Sequence, residues 1–386
     1  MLRITIITPV FPYPKRGVYT GIERHIEGLS KGFKKLGYKV TVITTFWNGG
    51  TFYHNFDGIK IYRFKDLRTI LGKFGKLSGM FELDFLTFSL NITLNKKLLD
   101  TDLLLINLPF PFLRLLGNNF ISIGLLHHVQ PIVKLKDALS VPFGNIYGKL
   151  TKPDYWVAPS KFTAEQFIRL FNISKERIRV IPEGVDLEKF NRNINASDIN
   201  EKFGNERKIL FVGNLHPNKG VHFLIKSFAL VKSKINDVKL IIVGDGPLRR
   251  FLINLTKKLN LEKDIIFAGF VNEEDLPKYY ASCDIFASAS VLEGFGLIFL
   301  EAMACGKPIV AFNLTSIPEV VGNAGILVNE INHKEFANAM LELLTNDKLY
   351  QEKVNIALER VRLFNLENIA SKFIELYNEK NKIILG

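Results

Sequence analysis

The stretch EGFGLIFLEAMACGKPIVA, residues 293 to 311, sets two carboxylates, Glu293 and Glu301, eight positions apart. Between them lie a Gly-Phe-Gly turn and the opening turns of a predicted helix. A glycine-bracketed loop lets backbone N–H groups come close to a ligand, and the helix behind it aims the positive end of its dipole at the same place. An anion suits that position. An ionised carboxylate accepts hydrogen bonds from vicinal hydroxyls, so two acids beside an anion site suit a sugar and a ribose. The segment reads as a site for a nucleotide sugar.

Upstream, Phe211-Val212-Gly213-Asn214-Leu215-His216-Pro217-Asn218-Lys219-Gly220 follows a predicted strand and precedes a predicted helix near His222, placing a lysine where it reaches phosphate. Val243-Gly244-Asp245-Gly246-Pro247 ends the next predicted strand, and its glycines let a nucleotide lie against the backbone. Either loop alone is an ordinary tight connection. Together with residues 293 to 301, in this order, they point to one ligand.

Short apolar runs alternate with helical periodicity along the whole chain. Strands are predicted at Ile4–Val10, Val40–Thr44, Ile59–Phe64, Leu103–Asn107, Ile121–His127, Tyr155–Pro159 and Ile178–Pro182. Ile22, Ile26, Leu29, Phe33 and Leu36 share one helix face, closed by Gly37. The pattern pauses over the polar stretch 191–205 and resumes at Lys208–Gly213, Val238–Gly244, Ile265–Gly269, Asp284–Ser288, Pro308–Phe312 and Gly325–Val328. The expected fold is α/β: two facing doubly wound, Rossmann-like domains, residues 1–190 and 206–386, joined by a linker at 191–205 and leaving an interdomain cleft. A final helix, about Leu366 to Lys380, can pack on either half.

Composition narrows the class. The chain has 386 residues, 47% of them hydrophobic, enough for two cores. Cys283 and Cys305, the only cysteines, fall in apolar segments, which argues against a disulfide framework or thiolate cluster and for a reducing cytoplasm. No secretory signal pattern opens the sequence, and Leu103–Val129 is too interrupted for the roughly 20 apolar residues of a membrane span. Charge is uneven: residues 1–190 hold 27 Lys and Arg against 15 Asp and Glu, whereas residues 191–386 hold 24 against 23. A basic half attracts nucleic acid, anionic lipid or a phosphorylated acceptor alike, but no nucleic-acid reader motif accompanies it, and no nucleic acid is expected. Between Arg63 and Lys97 cations interleave with Phe64, Leu67, Ile70, Leu71, Phe74, Leu77, Met80 and Phe81. That mixture fits either an amphipathic surface touching an anionic membrane or a helix with one buried face and solvated lysines.

Gly-Asn-Leu-x-x-x-Lys-Gly at 213–220, Gly-Asp-Gly-Pro at 244–247, Phe267-Ala268-Gly269-Phe270-Val271 and the 293–308 segment together resemble glycosyltransferase family 4, group 1. The first half agrees through Gly21 before a helix, Leu36-Gly37-Tyr38-Lys39-Val40, Pro159-Ser160-Lys161-Phe162-Thr163 and Val180-Ile181-Pro182-Glu183-Gly184-Val185-Asp186. The resemblance implies the GT-B fold, a retaining mechanism and a nucleotide-diphosphate sugar donor, with no metal and no other cofactor. It also implies roles. Glu301 would bind the ribose and Glu293 a donor-sugar hydroxyl near the reacting carbon. Backbone N–H groups of Phe295, Gly296 and Leu297 would contact sugar and phosphate, and Lys219 would steady the diphosphate. Gly244 would lie against the nucleotide, the backbone around Val271 would recognise the base, and Gly21 would let a first-domain loop approach the phosphates. His127 and His128 close a strand where the family often carries a histidine facing the donor sugar. Alternation lets one of them point inward, and the family pattern favours His127.

Two departures stand out. Asn214 occupies a position where the family commonly has arginine, removing half of a cationic clamp, a loss on the order of 1 kcal/mol or more; Arg249 or a first-domain cation would have to compensate. Thr20-Gly21 replaces the usual paired glycines. Asp100-Thr101-Asp102 has the spacing of a metal-binding pair in another transferase fold but precedes a strand, so it reads as a connector. No Gly-x-Gly-x-x-Gly follows a strand, which argues against a dinucleotide dehydrogenase. The expected function is transfer of a hexose-type sugar to an acceptor hydroxyl, on a sugar or a lipid-linked, membrane-proximal glycan. The alternative is a non-catalytic nucleotide-sugar-binding protein of the same fold.

Overall fold

The computed structural model describes residues 1–12, 20–46, 51–65, 81–107, 110, 112–117, 119–127 and 151–385. Two units divide the chain: one comprises 1–13, 22–183 and 366–386, the other 14–21 and 184–365.

The first unit is built on an eight-stranded sheet: β1 (Arg3–Ile7), β2 (Lys39–Thr45), β3 (Tyr53–Phe56), β4 (Ile59–Phe64), β5 (Leu103–Ile106), β6 (Ile121–Leu125), β7 (Tyr155–Ala158) and β8 (Ile178–Val180). Their order is β3-β4-β2-β1-β5-β6-β7-β8, parallel throughout except for the β3–β4 hairpin. The run Leu103-Leu104-Leu105-Ile106 shows why such strands are continuously apolar. Leu103 and Leu105 enter one core with Ile4, Ile6 and Phe33, while Leu104 and Ile106 enter another with Ile7, Ile43 and Phe88. Both sheet faces are covered, so neither set of alternating side chains meets water. The strand absent from the sequence reading is β3. Its signal was the Asp57-Gly58 pair, whose φ angles of 48° and 78° make the two-residue hairpin turn.

In the second unit, β9 (Arg207–Val212), β10 (Val238–Val243), β11 (Ile265–Gly269), β12 (Ile285–Ser288), β13 (Ile309–Phe312) and β14 (Gly325–Val328) form a parallel sheet ordered β11-β10-β9-β12-β13-β14. Alternation recurs: Leu210 and Val212 face one core, Ile209 and Phe211 the other. Cys283 and Cys305 lie unbridged in the first of these cores, and burial pushes the Cys283 thiol up to about 12.

The division falls at Glu183/Gly184 instead of at 190. Val185 N–H donates to the Phe364 carbonyl at 2.9 Å, and Phe190 packs on Tyr280, which ties 184–190 to the second unit. Nor is 191–205 simply a linker. It contains the helix Ser197–Phe203, anchored in the core by Ile199 and Phe203 amid otherwise polar residues. The last helix, Leu366–Leu385, belongs to the first unit, where Ile369, Ala370, Phe373 and Leu376 join the core of β1 and β2. Gly32 makes room for it, since a Cβ there would stand 2.4 Å from the Leu366 carbonyl oxygen. Asp102 hydrogen-bonds Arg3 at 2.6 Å and Asp100 pairs with the same guanidinium, so the Asp-x-Asp pair fastens the chain to β1. Residues 66–80 of the basic, aromatic region lie outside the described residues.

The rings of Phe33 and Phe373 meet edge to face at 6.1 Å. Phe373→Ala should therefore cost about 3–5 kcal/mol. Chemical denaturation followed by near-UV circular dichroism should show the midpoint displaced to lower denaturant, and an unchanged midpoint would refute the docking of this helix.

Candidate active site

Strand order in the second sheet reverses at β9, so the connections leaving the carboxyl ends of β9 and β12 part to opposite faces of the sheet, the position where open α/β sheets take ligands. The β9 connection, residues 213–220, ends at Gly220 with φ 62°. A Cβ there would stand 2.0 Å from the Ala289 carbonyl oxygen, so only glycine brings the two connections together. Val291 N–H then donates to the Asn218 carbonyl at 2.9 Å. Held this way, Lys219 Nζ reaches Glu293 Oε1 at 2.6 Å, with both side chains largely buried.

The connection after β13 braces Glu293 from the other side. Glu293 N–H donates to Thr315 Oγ1 at 3.2 Å, and the Ser316 hydroxyl lies 3.0 Å from the Glu293 carbonyl and 3.1 Å from that of Phe295. Gly296, at φ 103°, turns the chain into the helix Leu297–Ala304. Phe299 N–H donates back to the Gly296 carbonyl at 3.0 Å, and the start of this helix is the positive end of its dipole. One turn further in, Glu301 is almost fully buried, and its Oε2 accepts the Tyr280 hydroxyl at 2.7 Å. Val271, Phe295 and Leu297 pack in the same core as Tyr280.

Gly244 extends the site over the neighbouring strand. Its N–H donates to the Gly269 carbonyl at 2.7 Å, and a Cβ on it would stand 2.0 Å from the Gly213 carbonyl oxygen. Asn214 is exposed at the turn beside it. Arg249, 3.6 Å from Asp245, brings its guanidinium close to Gly269. The structure thus brings Lys219, Glu293, Phe295, Gly296 and Leu297 together directly, with Glu301 joined through the helix, and sets Asn214, Gly244 and Val271 on adjoining connections. Tyr280, Thr315 and Ser316 were missed by sequence reasoning, because a core tyrosine and a Thr-Ser turn carry no signal of what they hold.

His127 and Gly21 stand elsewhere in the chain. Gly21 begins the helix Gly21–Lys35, and a Cβ there would meet nothing within 4 Å, so the fold itself does not require glycine. His127 follows β6; its Nε2 lies 2.5 Å from Asn107 Oδ1 and its Nδ1 3.7 Å from Glu183 Oε1. The buried His25 ring packs edge to face against it at 5.5 Å. His128 lies outside the described residues.

Two family matches cover most of the chain: Glycosyltransferase Family 4 over residues 19–189 and Glycosyl transferases group 1 over 193–360. The chain belongs to this glycosyltransferase family, and its fold is of the GT-B class. It is similar to an uncharacterized glycosyltransferase of Methanocaldococcus jannaschii, 27% identical with 97% of this chain and 98% of that protein covered. It is 33% identical to an N-acetylgalactosaminyltransferase of Campylobacter jejuni named for a diphospho-undecaprenol substrate, over 57% of this chain and 58% of that one. Among solved structures, sucrose-phosphate synthase of Thermosynechococcus elongatus superposes with a TM-score of 0.80 at 21% identity, covering 99% of this chain and 100% of that one. HepE of Anabaena, solved with UDP and glucose, gives 0.72 at 19%, with 98% and 100% covered.

Burial pushes the His25 imidazole down from 6.5 to about 4, with His127 adding to the fall and the Glu183 carboxylate opposing it. Folded protein therefore holds His25 neutral where unfolded chain protonates it. Stability from this residue is fully present above pH 6.5, falls as the pH drops towards about 4, and changes no further below, a loss on the order of 3 kcal/mol. Denaturation midpoints across this range should fall more steeply for the wild type than for His25→Gln; equal slopes would contradict a neutral buried His25.

Proposed function

We propose that the chain transfers a hexose-type sugar from a nucleotide-diphosphate donor to an acceptor hydroxyl with retention. The observation that carries this reading is the Lys219–Glu293 ion pair set at the head of the helix Leu297–Ala304. Departure of a nucleoside diphosphate builds negative charge on the leaving oxygen. A fixed ammonium and the positive end of the helix dipole stabilise that charge with little reorganisation, so Lys219 and the first helical turn would do here what a metal does in other transferases. Glu293, already held by Lys219, Thr315 and Ser316, would keep its carboxylate in place for a donor-sugar hydroxyl. Glu301, fixed by Tyr280, would take the ribose. Gly244 and the backbone at Val271 would flank the nucleotide, Gly21 would let its loop approach the phosphates, and His127 would face the sugar.

Asn214 offers the diphosphate no charge, and Arg249, close to Gly269 on the next connection, supplies the second cation in this reading. A lipid-linked acceptor is supported by the Campylobacter relative's diphospho-undecaprenol substrate and by the basic first half. Leu90, Leu94 and Leu115 are exposed in that half near Lys96, whose Nζ lies 3.4 Å from the Leu115 carbonyl. Peripheral contact with the cytoplasmic membrane face belongs to the same proposal. No helix among the described residues is long and apolar enough to cross a membrane.

Release of nucleoside diphosphate from UDP-, GDP- and ADP-sugars, with and without the lipid fraction of a membrane extract, tests this. One donor should turn over, and lipid should raise the rate. Glu293→Ala and Lys219→Ala should each lower kcat/KM by about 100-fold or more, comparable to losing one fixed stabilising donor. Nucleotide binding without release from any donor would favour a non-catalytic binding protein. Flotation should show the chain on anionic vesicles at low salt, and its absence there would rule out the membrane contact.

A further inference from the structure

Behind the loop that carries Glu293, one guanidinium holds two pieces of chain at once. The connection after β13 ends in the short helix Ile317–Val321, and the hydroxyl of Ser316, the residue before it, lies 3.0 Å from the Glu293 carbonyl and 3.1 Å from that of Phe295. A helix leaves its last carbonyls without partners of its own at the negative end of its dipole, a place for a cation. Arg360, on the helix Asp347–Val361, fills it. Its Nε donates to the Val320 carbonyl at 2.7 Å and its Nη2 to the Glu319 carbonyl at 2.7 Å. Gly322 makes room, since a Cβ there would stand 2.7 Å from Arg360 Cζ. The N–H groups of Glu319 and Val320 donate back to the Ser316 carbonyl at 3.1 and 3.2 Å. Ser316 is therefore tied through a single turn to the residues that Arg360 holds.

The same guanidinium reaches the loop by a second route. It lies over the Phe364 ring, 5.8 Å from the centroid, and Phe364 packs on Phe295 with centroids 6.2 Å apart. Phe364 is itself fixed, because its carbonyl accepts the Val185 N–H at 2.9 Å. Both routes end within residues 293–295, and every residue in them belongs to the second unit. Neither passes through Glu301, which Tyr280 fixes, or through the turn at Gly220 that carries Lys219.

We propose that Arg360 is a positioning residue for this loop: by holding the helix Ile317–Val321 and Phe364 at once, it fixes the place of the Glu293 carboxylate. Its effect on rate rests on the proposed transfer of a sugar; its effect on the loop does not. A reacting group displaced by about 1 Å costs roughly 100-fold in rate even when the altered residue is remote. Binding of the nucleotide draws on Glu301 and Lys219, which are held by other means, so the loss of Arg360 falls on turnover.

Hydrogen exchange of the full chain, read by mass spectrometry, tests the loop without reference to turnover. Arg360→Met, which keeps the length and removes the donors, should exchange faster over 293–297 and 313–322 and at the wild-type rate over β9 and β12. An unchanged 293–297 segment, or a rise spread over the whole unit, would overturn the positioning role. With the donor that turns over, Arg360→Met should lower kcat about 10-fold or more and leave the donor KM within about threefold. Sites are counted by binding of the corresponding nucleoside diphosphate, so that loss of folded protein does not enter. Ser316→Ala acts on the same loop, and the double variant should lose less than the product of the two single losses. A kcat within about twofold of wild type, a fall confined to KM, or losses that multiply would each overturn the proposal. If the wild type turns over no donor, the transfer reading fails, and the exchange pattern alone decides whether Arg360 holds the loop.

Discussion

Lys219 and Glu293 are 74 residues apart in sequence and come from connections that leave neighbouring strands towards opposite faces of one sheet. Their ion pair exists because Gly220 lets the two connections touch and the Val291–Asn218 hydrogen bond holds them in register. A charge pair this far out of water is expensive unless each member has other partners. Glu293 has its main chain fastened by Thr315 and Ser316, and Lys219 stands at the end of a tight turn closed by Gly220. An incoming anion would find a cation already placed and would share it with a carboxylate that cannot follow. A cation fixed in advance in this way suits a site where negative charge appears during a reaction, because the groups that answer it do not have to move.

Much of the architecture was legible from periodicity. Strands buried on both faces must be continuously apolar, and those runs stand out in Leu103–Ile106 and Leu240–Val243. The second unit's boundary was less visible. Ile199 and Phe203 are two anchors in an Asn-rich stretch, too few to give a period, yet they put a helix into the core. The antiparallel β3 escaped because its residues alternate weakly, although Asp57-Gly58 announced the turn. At the site, glycine positions and the two glutamates were readable because their chemistry is local. Tyr280, Thr315 and Ser316 act on residues far away in sequence, and Glu183 sat unnoticed within a quoted motif because nothing in the chain shows that His127 lies beside it.

Both sheets use the same rule. Each places its polar groups where strand order reverses, the place at which a parallel sheet leaves room for something besides its own connections. In the second unit those groups are charged and paired; in the first, Thr8 after β1 and Asn107 after β5 form a chain of neutral hydrogen bonds ending on the His127 imidazole. Burying His25 beside that chain costs stability in acid and keeps a second imidazole neutral against the first. The last helix contributes from the opposite end of the sequence. By returning to the first unit it joins the core of β1 and β2, where Gly32 leaves room for its first turn, so that unit depends on residues far from its strands in sequence.

The most direct measurement is a crystal structure with a nucleoside diphosphate bound. The diphosphate should lie on Lys219 Nζ and the N–H groups at the start of the helix Leu297–Ala304, with the ribose hydroxyls on Glu301 and the guanidinium of Arg249 turned towards phosphate. A nucleotide seated elsewhere, with the Lys219–Glu293 pair untouched, would contradict it.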